Sequence, residues 1–196
     1  ALTNQANALN VQLTDESVLY SGHFNSNLSI DNFTVHSNAS SMDIFAGKMN
    51  SNGGWDYLVS FGSDSDSEEI IDIAPAEDGG AYLLIEYSDI ININGTDFIS
   101  DEQDCWGCYT SSRGSQNIMV IKLNSNGDVN WTIQFGTGQR DNAYSIAADE
   151  HGYIHILASR WSSGYGFADH TNTQYNYFWN SDGTYSGSGA DPESYG

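Results

Sequence analysis

Residues 48–62, KMNSNGGWDYLVSFG, return without a gap as residues 122–136, KLNSNGDVNWTIQFG. Lys48/Lys122, Asn50/Asn124, Ser51/Ser125, Asn52/Asn126, Gly53/Gly127, Phe61/Phe135 and Gly62/Gly136 are identical pairs. Met49/Leu123, Tyr57/Trp131 and Val59/Ile133 keep their character. Each copy follows a short apolar run, DIFAG at 43–47 and NIMVI at 117–121. The pattern predicts strand, Asn-Ser-Asn-Gly turn, strand. Asn and Gly tolerate the positive φ of a tight hairpin turn, and β-branched and aromatic residues flank it on both sides. Self-similarity over such a length points to a repeat architecture.

Working outward, a different hairpin precedes each copy. ALNVQLTDESVLYSG at 8–22, IIDIAPAEDGGAYLLIEY at 70–87 and AYSIAADEHGYIHILA at 143–158 each read as apolar strand, acidic turn, apolar strand. A degenerate third copy of the opening hairpin lies at 175–186, where Asn180-Ser181-Asp182-Gly183 stands for Asn-Ser-Asn-Gly. The chain therefore divides into units at 8–62, 70–136 and 143–186, followed by a Gly/Ser-rich tail at 187–196. Polar, glycine-bearing stretches of unequal length, 23–42, 88–116 and 159–174, read as rim loops between the two hairpins of a unit. The fold class is all-β: tandem four-stranded antiparallel blades, a β-propeller-like repeat of about three units.

The run of Asp43 through Gly62 and Asn117 through Gly136, with Ile73-Ala74 and Ile146-Ala147-Ala148-Asp149, resembles the SBBP-type propeller repeats of secreted bacterial and archaeal surface proteins. The resemblance covers about two thirds of the chain and rests on turn and core residues. It implies a bladed all-β fold and a surface setting. It differs in the long insertion 88–116, and three units fall short of the at least four blades a closed propeller needs. Closure then calls for further units of a longer chain or for neighbouring copies. The remaining alternative is an open stack polymerising through its strand edges.

Composition narrows the setting. Five Lys and Arg stand against twenty-six Asp and Glu, a formal charge of −21. That field repels phosphate backbones and anionic membrane surfaces, which excludes nucleic acid as a partner. No apolar run approaches the roughly 20 residues of a bilayer-spanning helix, so no membrane insertion is expected. The acidic coat suits salty surroundings and divalent cations. Cys105 and Cys108, in Cys-Trp-Gly-Cys, lack any βαβ setting for redox chemistry and read as a local disulfide of an oxidising compartment. Five Asn-X-Ser/Thr sequons, at Asn27, Asn32, Asn38, Asn94 and Asn130, are candidate glycosylation sites of an extracellular or cell-surface protein.

Alternating Asp64, Asp66 and Glu68 supply oxygens at every second residue, a candidate set for Ca²⁺; the competing reading is a solvated turn. Trp106, Trp161 and Tyr165 lie in insertions, where an exposed ring can stack on a sugar. His151 and His155 lack the Glu of a zinc helix, and no nucleophile elbow or phosphate loop is present. With no catalytic constellation, the expectation is no enzyme. The reading is an extracellular structural β-repeat protein, a cell-surface or filament building block that self-assembles through strand edges and loops. The alternative is a calcium-assisted glycan-binding adhesion module.

Overall fold

Turn glycines and alternating apolar residues decide where the strands begin and end. Gly53 and Gly127 hold φ of +82° and +88°, the left-handed conformation that closes each Asn-Ser-Asn-Gly turn, and Gly183 holds +86°. Asn50 and Asn124 tighten their turns by accepting backbone N–H bonds from Asn52 and Gly54, and from Asn126 and Asp128.

The computed structural model describes residues 8–12, 16–38, 41–64, 68–100, 116–136, 140–150, 152–163, 170–180 and 183–184, with side chains outside 8–12, 160–163 and 170–180. Fifteen strands and no helix are present among them: β1 (Ala8–Gln12), β2 (Val18–Asn25), β3 (Asn27–Ile30), β4 (Phe33–His36), β5 (Met42–Met49), β6 (Trp55–Phe61), β7 (Glu68–Pro75), β8 (Ala81–Ser88), β9 (Ile90–Ile93), β10 (Thr96–Ile99), β11 (Gln116–Leu123), β12 (Val129–Phe135), β13 (Asn142–Ala148), β14 (Tyr153–Ser163) and β15 (His170–Asn180). The chain is all-β, built from several small antiparallel sheets. The first sheet has the order β1-β2-β5-β6, the second β7-β8-β11-β12, and the third β13-β14-β15. Two further hairpins, β3-β4 and β9-β10, are inserted between the second and third strands of the first two sheets.

The described parts of the rim stretches hold more strand than their polarity suggests. β2 runs to Asn25, β14 to Ser163, and β15 begins at His170, so the described residues of 23–42 and 159–174 are largely strand. Within 26–37 the alternation Leu28, Ile30, Phe33, Val35 supplies one apolar face around the Asp31-Asn32 turn, and that face outweighs the polar residues between. The hairpin at 89–100 follows the same plan: Ser37 and Ser100 each donate their backbone N–H to the residue that opens their hairpin, Ser26 and Asp89, at 2.8 Å. Their hydroxyls accept the return bonds from Ser26 and Asp89 at 2.8 and 2.9 Å. The described part of the third unit ends just past Gly183, and the tail at 187–196 lies outside the described residues.

The sheets stack face to face. One buried cluster joins Leu19, Ile44 and Phe61 of the first sheet to Leu83, Ile85 and Ile121 of the second. Another joins Tyr82, Leu84 and Val120 of the second to Ile146, Ile154 and Ile156 of the third. The second sheet is thus covered on both faces, which is why β8 and β11 read as continuous apolar runs rather than as alternating strands. A third cluster places Leu28 of the inserted hairpin against Phe24, Phe45 and Leu58 on the far face of the first sheet.

Candidate functional site

The feature the chain builds twice is the joint between successive sheets. Register alignment makes it visible. Val18 pairs with Met49 as Ala81 pairs with Leu123, and Ala81 and Ile154 begin the corresponding runs of β8 and β14. On this register His23, Glu86 and Ser159 are equivalent, and so are Ile70 and Ala143, each beside a β-bulge. At the first joint the Ile70 N–H donates to Nε2 of His23 at 3.1 Å. At the second, the Ala143 N–H donates to Oε1 of Glu86 at 2.5 Å. At each joint the N–H of the residue beside the bulge is taken by a side chain of the preceding sheet.

Each joint also seats an aromatic ring on a turn glycine. A Cβ on Gly127 would lie 2.7 Å from the Tyr57 ring, and one on Gly183 would lie 3.2 Å from Trp131. Tyr57 and Trp131 are the matched aromatics of the sequence repeat, each on the preceding sheet. The repeated Gly at the end of Phe-Gly has another cause: a Cβ at Gly62 or Gly136 would collide with the side chain of Asp43 or Asn117, at 2.3 and 2.6 Å. Asp43 in turn accepts from the Asn38 amide and the Ser41 hydroxyl.

Charge is placed sparingly at these joints. Lys48 and Lys122 are buried at equivalent positions. Lys48 donates to the Gly79 carbonyl of the second sheet at 3.3 Å. Lys122 donates to Oδ1 of Asp78 and to the Leu123 carbonyl, both at 2.7 Å, and lies over the Tyr82 ring. Partial burial acts to raise the Asp78 carboxyl, but the Lys122 hydrogen bond, the Gly80 amide and the Lys122 charge prevail and hold it below the usual range. Burial pushes the Tyr82 phenol up to about 12. Burial raises the Glu86 carboxyl, assisted by the Glu69 charge and opposed by the Ala143 amide, Arg140 and Gln116. Burial lowers His23, with Glu69 opposing. An imidazole that accepts at Nε2 is neutral, in keeping with that direction. Asp72 completes the second joint by accepting from the Ile146 N–H at 2.9 Å and the Ser145 hydroxyl at 2.8 Å.

The residues singled out by sequence fall differently. Asp64 is exposed beyond β6, Glu68 is buried on β7, and Asp66 lies outside the described residues. Among the described residues no group of three or more His, Cys, Asp or Glu side chains is arranged to hold a metal ion. His155 pairs with Oδ2 of Asp149 at 2.9 Å. Cys105, Trp106, Cys108 and Tyr165 lie outside the described residues, as does the side chain of Trp161. The sequon residues Asn27, Asn32, Asn38, Asn94 and Asn130 are all exposed, Asn32 and Asn94 in the turns of the two inserted hairpins. The joint acceptors were not legible beforehand, since His23 and Glu86 are side chains of different type that a sequence comparison would not align. The inserted hairpins did leave a signal: apolar residues at matching offsets, with Ser37 and Ser100 closing both. No protein-family model matches the chain, and no curated protein matches it.

Proposed function

We propose that this chain is an extracellular structural β-repeat protein, a building block of a cell surface or filament. Its sheets act as blade-like units of the kind found in SBBP-type repeats. The observation that carries this reading is the joint made twice with the same parts: a bulge N–H onto a side-chain acceptor, and a turn glycine under an aromatic ring. Such a joint adds units in one direction without any of them needing a core of its own. The strand edges, exposed sequon residues and acidic coat suit a protein whose work is spacing and contact rather than turnover. Electron microscopy of the purified chain in salt tests it. Regular fibres, sheets or rings support a structural role, and turnover on a broad glycoside panel by dispersed single particles would overturn it.

A further inference from the structure

Two faces of the described stack meet none of the three large sheets: the leading face of the first, which carries only the inserted hairpin β3-β4, and the trailing face of the third. We propose that the trailing face of the third sheet docks onto the leading face of the first sheet of a second copy, repeating the joint the chain makes twice internally. The proposal rests on the structural reading above and adds the surface, its polarity and its residues.

On the trailing side, Leu157 occupies the register position of Leu84. Leu84 is 0% exposed under the third sheet, whereas Leu157 is 37% exposed. Tyr144, in the bulge position of Ile71, is 45% exposed, while Ile71 packs into the second joint. Ser159, at the register position of His23 and Glu86, is itself buried, with its hydroxyl bonded to the exposed Tyr144 hydroxyl at 2.9 Å. On the leading side, a Cβ at Gly53 would meet nothing within 4 Å, although its equivalents Gly127 and Gly183 lie under the preceding sheet's ring. The Tyr20 and Trp55 rings, half-buried, lie tilted to one another with centroids 5.2 Å apart.

The inserted hairpin on the first sheet does not obstruct this contact. Its counterpart β9-β10 is inserted at the same point of the second sheet, and there Ile91 and Ile93 are buried within the first joint. The Asn92 N–H even pairs with the Gly62 carbonyl of the preceding sheet at 3.1 Å. Each open face therefore copies one that already mates. By sequence the intermolecular joint is more polar than the internal ones: the register positions that Ile118 and Val120 hold in the second sheet are Gln174 and Asn176 in the third. A less apolar contact suits reversible association rather than an obligate one. Back-to-front docking is heterologous, so it closes a ring or runs on as a filament. Copies carrying −21 charges repel one another at low salt and associate as salt screens them.

Sedimentation velocity and electron microscopy of the full chain across NaCl concentration test this, with Leu157→Lys blocking the trailing face and Gly53→Asn the leading face. Asn tolerates the left-handed φ, and its side chain enters open space in the single chain. The expected result is salt-promoted assembly of the natural chain and monomers from each variant, with melting temperatures near that of the natural chain. Mixing the two variants should give dimers and nothing larger, because only one competent joint remains. Tyr144→Arg repeats the trailing-face arm should Leu157→Lys melt early. Assembly of all variants as readily as the natural chain overturns this joint and leaves self-assembly standing. A natural chain that stays monomeric at every salt and protein concentration overturns both readings and leaves the face to a further unit of a longer chain.

Discussion

Replacing Gly127 with alanine places a methyl group 2.7 Å from the Tyr57 ring, in a turn whose φ is +88°. Two costs add. Holding a residue with a Cβ in the left-handed region costs about 1–2 kcal/mol. Forcing an extra carbon against a buried ring costs about 1–3 kcal/mol, since Tyr57 is packed in the first joint and has little room to withdraw. The sum is about 2–5 kcal/mol. Gly53→Ala is the internal control. The turn has the same Asn-Ser-Asn-Gly sequence and a φ of +82°, but its new methyl meets nothing within 4 Å. It should lose only the first part, about 1–2 kcal/mol, and the change in unfolded-chain entropy is common to both. The difference of about 1–3 kcal/mol corresponds to roughly 2–4 °C in melting temperature for each kcal/mol in a chain of this size. Urea and thermal unfolding of dilute chain at low salt, where copies stay apart, measure both variants. Equal losses at the two glycines would refute the inter-sheet contact and, with it, the account of why Tyr57 and Trp131 are matched aromatics.

Other expectations follow from the same joints. Because burial lowers His23 from 6.5, the folded chain holds fewer protons than the unfolded chain just below that value. Stability from this site is therefore full above pH 6.5 and is lost as pH falls toward the lowered folded value; His23→Gln should flatten that slope in pH-dependent melts. Glu86 has the opposite sign, since its raised pKa penalises the fold at higher pH and relaxes as pH falls toward 4.5. Lys122→Met should cost about 1 kcal/mol in urea unfolding, because Asp78 keeps 48% of its side chain in water and the Leu123 carbonyl loses its donor. Ile91→Ala, which removes an inserted-hairpin side chain from the first joint, should cost about 2–4 kcal/mol in the same assay.

Much of the strand-turn-strand pattern was legible because its causes are local. Gly53 and Gly127 are needed by their own backbone conformation, and Asn50 and Asn124 bond to amides two and four residues on. The inserted hairpins were obscured because only one face of each is buried, and the exposed face carries Ser29, Thr34, Asn92 and Asp97 in cross-strand pairs that look like loop composition. The joints were not legible at all. Whether Leu84 or Leu157 is covered depends on which sheet lies above it, and no residue beside either in sequence carries that information.

The sequence alone determined the all-β character, the hairpin turns and the acidic surface, since φ preference, apolar alternation and net charge are properties of residues and their near neighbours. The tertiary structure decided the rest. It made His23 and Glu86 equivalent acceptors, set Tyr57 and Trp131 on the next sheet's turn glycine, buried Lys48 and Lys122, and left Gly53 and Leu157 uncovered. Each of these depends on which face of one sheet meets which face of the next, a contact between residues tens of positions apart that only packing creates.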